Sequence, residues 1–88
     1  MTPKRRDRNQ PEIVKALRKA GVFVLDLADF GKGVPDLLVV YDRKVKLLEV
    51  KMPGEKLTPA EEKFHAVYPG DIAIVYSAEQ AIEEARNG

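Results

Sequence analysis

Three charged residues lie at the ends of one predicted pair of strands, and their types and spacing make them the group in the sequence that is best suited to chemistry. Asp36 follows Pro35 at the start of an apolar run, and Glu49 and Lys51 end the next run. Because side chains alternate along a strand, Glu49 and Lys51 leave the same face. A hairpin that turns at 42–44 brings Asp36 opposite the end of the second strand. Two carboxylates and an ammonium are therefore predicted to meet at one end of the sheet.

Neighbouring carboxylates repel each other, and a divalent cation relieves that repulsion. Asp and Glu oxygens suit Mg²⁺ or Mn²⁺, which keep positions for water and for a phosphate oxygen. A bound ion lowers the pKa of water, and a lysine beside it can orient or help to deprotonate that water and stabilise the transition state. The pattern predicts metal-dependent phosphodiester hydrolysis. An ordinary ion pair of Glu49 and Lys51 on a solvent-exposed sheet face is the alternative.

The composition excludes several other chemistries. The chain has 88 residues, no cysteine and one histidine, His65. Disulfides, thiolate metal sites and zinc sites with several His or Cys ligands are therefore excluded. This length predicts one domain whose small core favours an oligomer. Without an apolar membrane span or signal segment, we expect a cytoplasmic protein with no membrane partner and no small-molecule cofactor.

The net charge of +1 hides an uneven distribution. Residues 1–56 hold 13 Lys/Arg and 8 Asp/Glu, whereas residues 57–88 hold 2 and 6. This asymmetry favours an anionic partner on one side. Residues 1–8 are predicted to be a basic flexible arm, and 9–88 the domain. Phosphate contact is one interpretation of the arm and a frayed terminus is the other. The arm's candidate DNA-binding residues are Lys4, Arg5, Arg6 and Arg8.

Hydrophobic periodicity and turn residues predict the order αβββαβ, followed by a short C-terminal helix. The predicted helices cover 10–20, 58–67 and 78–85, and the predicted strands cover 22–27, 36–41, 45–51 and 72–76. We expect an α/β domain with a mixed four-stranded sheet flanked by helices and with the apolar fourth strand in its interior. Capping boxes are predicted for Asn9 with Glu12 and for Thr58 with Glu61. The aromatic residues, Phe23 among them, are expected mainly in the core; Phe30, in the glycine loop, is the exception for which a stacking role stays open.

The order and spacing of these motifs resemble the PD-(D/E)xK nuclease superfamily, whose core is αβββαβ. Pro35-Asp36 is followed by twelve residues and then by Glu49-Val50-Lys51. The closer resemblance is to the virus-type replication-repair nuclease (VRR-Nuc) domain, and it covers residues 9–82. The stretches that carry it are 9–14, 31–38, 48–51 and 57–61, with Phe64-His65 after them.

The resemblance implies a role for each matched residue. Asp36 and Glu49 would ligate Mg²⁺ or Mn²⁺, with the backbone carbonyl of Val50 as a further ligand. Lys51 would be the catalytic lysine, and Glu12 would be the acid of the first helix that reaches the metal through water. Relatives often carry glutamine where this chain has Glu61, so a weakened DNA contact and a simple helix cap both stay open for that residue.

The resemblance also implies a substrate and an assembly. Stand-alone members of this branch resemble phage or prophage enzymes of the bacterial host cell that act as homodimers on branched DNA, including four-way (Holliday) junctions. Gly31, Lys32 and Gly33 are candidate DNA contacts, although a turn that needs positive φ would explain both glycines. A non-catalytic nucleic-acid-binding module and an accessory subunit are the alternative functions. The intact Asp36, Glu49 and Lys51 favour an enzyme.

Overall fold

The computed structural model describes residues 9–87, and the predicted arm of residues 1–8 lies outside this range. The helices are α1 (Gln10–Lys19), α2 (Pro59–Val67) and α3 (Ala78–Asn87). The strands are β1 (Phe23–Asp26), β2 (Leu37–Tyr41), β3 (Lys44–Val50) and β4 (Ile72–Val75), with a short 3₁₀ helix at Ala28–Phe30. The predicted order of helices and strands is confirmed. No helix between residues 9 and 87 is long and apolar enough to cross a membrane.

The strands form one mixed sheet in the order β1-β2-β3-β4. The first two pairs are antiparallel, and β3 and β4 are parallel. The prediction of an interior fourth strand is wrong, because β4 lies at the sheet edge. The hairpin already places β2 on one side of β3, so the crossover through α2 can add β4 only on the other side.

The β2–β3 hairpin sets the register of the charged residues. Tyr41 pairs with Lys44, which leaves only Asp42 and Arg43 in the turn, at φ angles of 51° and 67°. Two residues in the left-handed region are typical of a tight hairpin turn. The turn is thus one residue shorter than predicted. Because Leu37 pairs with Leu48, this register places Asp36 next to Glu49.

The two sheet faces have different environments. α1 and α3 cover one face, where their apolar side chains pack with those of the strands, including Leu37, Leu48 and Val75. Phe23 and Leu25 point to the opposite face, since they alternate with the buried Val24. Phe23 is 58% exposed, so its predicted place in the core is wrong. Phe30, set apart in the glycine loop, is 70% exposed.

The two predicted capping boxes have different outcomes. Thr58 and Glu61 form a complete box at the start of α2. Asn9 makes no side-chain cap for α1. Its amide nitrogen instead donates to the backbone carbonyls of Lys51, at 3.4 Å, and Tyr76, at 3.1 Å. Asn9 thus ties the start of α1 to the ends of β3 and β4, and the predicted box with Glu12 does not form.

Gly33 is required by close packing as well as by its backbone angle. Its φ is +81°, and a Cβ built there would lie 2.2 Å from the backbone oxygen of Ala60, in the first turn of α2. The loop that leads into Asp36 therefore runs directly against α2. At Gly54 the φ is similar, at +88°, but a Cβ would meet nothing within 4 Å.

We expect Gly33→Ala to destabilise the fold much more than Gly54→Ala. The left-handed angle alone costs about 1 kcal/mol for alanine, whereas a displaced α2 adds about 1–3 kcal/mol at position 33. Urea unfolding of both variants measures the difference. Equal losses would show that α2 yields to the extra methyl group without cost.

Candidate active site

Asp36 and Glu49 are both buried at the same end of the sheet. Their relative exposures are 3% and 0%. The backbone N–H of Val50 donates to Asp36 Oδ2 at 2.8 Å, which holds the Asp36 carboxylate against the end of β3. The structure thus brings together the two carboxylates that the sequence placed at one site. Burial without compensating partners is costly for carboxylates, so this arrangement demands cations or donors nearby.

Lys51 supplies one such cation and is itself bound by α2. Its Nζ lies 2.7 Å from Glu61 Oε1, and both side chains are buried. The same Glu61 oxygen accepts a hydrogen bond from the backbone N–H of Thr58 at 2.9 Å. The predicted catalytic lysine is therefore fixed by a carboxylate that also completes the capping box of α2.

His65 lies one turn further along α2 and faces Glu49. Its Nε2 is 3.4 Å from Glu49 Oε1, and it donates to that oxygen in the tautomer with the proton on Nε2. Burial lowers the pKa of His65 from its usual 6.5, while the Glu61 carboxylate raises it and the Lys51 ammonium lowers it. A largely neutral imidazole at pH 7 suits a hydrogen bond that orients Glu49.

On α1, the buried polar side chain is a glutamine, and the acid expected at the site is exposed. Glu12 is exposed, and no hydrogen bond within residues 9–87 joins it to Asp36 or Glu49. Gln10 is only 1% exposed, and its two side-chain amide atoms have no hydrogen-bond partner in that range. Gln10 also lines a groove with Val14 and Asp26. The buried polar residue of α1 is therefore Gln10 and not Glu12, whose water-mediated contact stays a prediction.

The glycine loop divides into an exposed part and a buried part. Lys32 is exposed, at a φ of 55°, four residues before Asp36, and stays a candidate phosphate contact. Gly31 is half-buried, and nothing lies within 4 Å of a Cβ built there. Gly33 is buried against Ala60, and this packing is sufficient to require a glycine, while its contact with DNA stays a prediction. The four basic residues of the arm lie outside the described residues.

The donor groups fit a hard divalent cation with few protein ligands. Between residues 9 and 87 no group of three or more His, Asp and Glu side chains is arranged to hold a metal ion. In this range three carboxylates are buried, and one of them, Glu61, pairs with Lys51. Asp36 and Glu49 are the two predicted metal ligands among them, with the Val50 carbonyl as the predicted third donor. Mg²⁺ commonly binds through one or two carboxylates together with waters and substrate phosphates, without a complete protein cage. The residues present are therefore compatible with such an ion.

Comparison with known proteins identifies the fold. No protein-family model matches the chain, and no curated protein matches it. Among solved structures, a VRR_NUC domain matches with a TM-score of 0.69 and 23% sequence identity, covering 91% of this chain and 97% of that chain. The chain therefore has the fold of a VRR_NUC domain, which confirms the resemblance predicted from the sequence at the level of the fold.

Sequence reasoning missed the burial of Gln10 on α1 and the contact of Glu61 with Lys51 in the site. Gln10 lies three and seven residues before Ile13 and Leu17, both buried, so the helical period alone places it on the buried face. The sequence leaves a helix cap and a weakened DNA contact open for Glu61 and does not predict its contact with Lys51, because that contact depends on how α2 packs against the sheet. Helical periodicity was thus an available signal for Gln10, whereas Glu61 gave none beyond the cap.

The pKa of His65 gives a test of the site without metal or DNA. As the only histidine, it gives one set of ring signals in NMR. In metal-free buffer its titration midpoint should fall below 6.5. The folded state then takes up the proton less readily than the unfolded state. The stability contributed by neutral His65 is therefore complete above the unfolded pKa and is lost as the pH falls through the folded pKa.

The matched variant is His65→Asn. The difference in unfolding free energy between wild type and this variant should diminish as the pH is lowered from about 7.5 to about 5, the range in which histidine titrates. A midpoint above 6.5 would mean that the Glu49 and Glu61 carboxylates outweigh burial.

Proposed function

We propose that this protein is a metal-dependent deoxyribonuclease that hydrolyses phosphodiester bonds in branched DNA. The observation that carries the proposal is the joint burial of Asp36 and Glu49 beside Lys51, at the end of one hairpin. A merely structural surface ion pair has no need for two buried carboxylates. The fold of a VRR_NUC domain supports the same interpretation.

In the proposed reaction, water attacks the phosphorus atom and the bond to the leaving oxygen breaks. Asp36 and Glu49, with the Val50 carbonyl, would hold Mg²⁺ or Mn²⁺. When bound, the ion supplies Lewis-acid stabilisation of the phosphate and a water of lowered pKa. The hydrogen bond from Val50 N–H restrains Asp36, and His65 restrains Glu49, so both carboxylates are oriented before substrate arrives. Such preorganisation reduces the reorganisation needed in the transition state.

Lys51 would stabilise the negative charge that develops on the phosphate and orient the attacking water. Its ammonium is held 2.7 Å from Glu61, on the same sheet face as Glu49. The exposed Lys32 would contact the DNA backbone beside the site.

The first test of the function uses charge-neutral variants of the two carboxylates. Asp36→Asn and Glu49→Gln should reduce cleavage at least roughly 100-fold, since several kcal/mol of transition-state stabilisation depend on the ion they hold. Their stability without metal should be unchanged or higher, because carboxylate repulsion is relieved. Glu62→Gln, an exposed carboxylate of α2, is the matched control.

Labelled duplex, flap, splayed-arm and four-way-junction DNA should be incubated with Mg²⁺, Mn²⁺ or EDTA. We expect metal-dependent cleavage with a preference for the junction. If the protein binds DNA but cleaves none of it with either Mg²⁺ or Mn²⁺, the result would instead indicate the non-catalytic nucleic-acid-binding module. Wild-type rates in Asp36→Asn or Glu49→Gln would place the site elsewhere.

We also propose that the active unit is a homodimer. The sheet face opposite α1 and α3 exposes apolar side chains of neighbouring strands away from the carboxylates, among them Phe23, Leu25 and Val45. An apolar patch rimmed by polar residues marks an interaction site more often than isolated exposed apolar side chains do. This face supplies the apolar centre of an interface that needs about 800 Å² on each partner, with its rim coming from surrounding polar groups.

A variant of the exposed face tests the dimer. Phe23→Thr combined with Leu25→Thr keeps residues that suit a strand but removes apolar area. We expect a shift from dimer to monomer at micromolar concentration, measured by sedimentation equilibrium, and loss of paired cuts in a four-way junction. Val67→Thr, at an exposed position of α2 outside the sheet face, should leave the mass unchanged. A monomeric wild type that makes paired, symmetric cuts would contradict the proposal.

A further inference from the structure

We infer that Glu61 is a positioning residue that sets the place of the Lys51 ammonium for the reaction; this inference rests on the proposed function. One oxygen of Glu61 lies 2.7 Å from Lys51 Nζ and 2.9 Å from the backbone nitrogen of Thr58. The lysine is thereby linked to the first turn of α2 through a single atom. Lys51 and Glu61 are 8% and 5% exposed, so solvent screens their interaction little.

The Glu61 carboxylate is itself held from several sides. The backbone N–H of Glu61 donates to Thr58 Oγ1 at 3.2 Å, which completes the capping box. The preceding residue, Ala60, is packed against Gly33, in the loop that leads into Asp36. The rotational position of this first turn, and with it the Glu61 oxygen, is therefore fixed relative to the Asp36 loop.

The opposite end of the contact is fixed as well. The Lys51 backbone N–H donates to the Val75 carbonyl at 3.0 Å, and the Lys51 carbonyl accepts from Asn9 at 3.4 Å. A lysine side chain has four rotatable bonds and costs considerable conformational entropy to order. With its backbone fixed by β4 and α1, and its ammonium fixed by Glu61, Lys51 is restrained at both ends of the side chain. A misplacement of about 1 Å in a reacting group can cost roughly 100-fold in rate.

Three variants separate positioning from helix capping. Glu61→Ala removes the contact with Lys51 and half of the capping box. Glu61→Gln keeps an oxygen that can accept from both Thr58 and Lys51. Thr58→Ala removes the other half of the box and leaves the Glu61–Lys51 pair. Positioning predicts that kcat falls about 100-fold in Glu61→Ala with KM for DNA changed little. It also predicts substantial rescue in Glu61→Gln and a kcat near wild type in Thr58→Ala.

A spectroscopic measurement without metal or DNA completes the test. The ¹⁵N-ammonium signal of Lys51, assigned by its absence in Lys51→Ala, should be visible in wild type and Thr58→Ala, because the buried pair slows exchange with water. It should disappear in Glu61→Ala. Unfolding curves and circular dichroism check that Glu61→Ala and Thr58→Ala both remain folded. If Glu61→Ala does not fold, the comparison of kcat between Glu61→Gln and Thr58→Ala decides.

The outcomes distinguish this inference from the proposed function. A wild-type protein that fails to cut any DNA with Mg²⁺ or Mn²⁺ overturns the proposed function and the catalytic part of the inference, while the ammonium signal still reports the Glu61–Lys51 contact. A wild type that cuts DNA, with equal kcat losses in Glu61→Ala and Thr58→Ala, overturns the positioning role alone. Loss of kcat in Glu61→Gln as large as in Glu61→Ala would likewise overturn positioning by hydrogen bonding.

Discussion

The attachment of α2 to the sheet depends on a buried ion pair. Glu61 is the one residue of α2 that is buried, and no residue of that helix belongs to the apolar core cluster. The contacts that hold the helix include those of Glu61 with Lys51, His65 with Glu49, and Ala60 with Gly33. Helices normally gain most of their stability in a protein from a packed apolar face. Here polar contacts replace that face, and they lie at the candidate active site.

This construction has an energetic cost. Ionisable groups lose solvation when they are buried, and a buried pair compensates for that loss only with good geometry and additional hydrogen bonds. Glu61 has both, since Lys51 and the Thr58 N–H reach the same oxygen. Asp36 accepts from Val50, and Glu49 faces His65. An apolar cluster often serves stability as well or better, and the presence of these groups in so small a domain is therefore consistent with the proposed chemistry.

The parts of this design that the sequence predicts are those determined by local rules. Alternation along β3 places Glu49 and Lys51 on one face, and the hairpin brings Asp36 beside them. The capping box at Thr58 follows from spacing alone.

The missed features all depend on tertiary packing. Asn9 caps nothing, because the ends of β3 and β4 offer its amide two carbonyl groups. Phe23 is exposed, because helices cover only the opposite face at that end of the sheet. The strand ends that bind Asn9 cannot be recognised from the residues near Asn9 in the chain. The missing helix beside Phe23 likewise cannot be recognised from the residues near Phe23.

The sheet face on which α2 packs has two halves, and they serve separate purposes in the proposed enzyme. Glu49 and Lys51 lie at one end of β3 under α2, and Val45 lies at the hairpin end, where the face is apolar and open. Four residues of extended strand separate Val45 from Glu49 by roughly 13 Å. A two-fold contact through the hairpin end would leave both carboxylate ends accessible, one on each side of the interface. Assembly and chemistry can then share one face without competing for the same residues, because α2 covers the reactive end and leaves the apolar end uncovered.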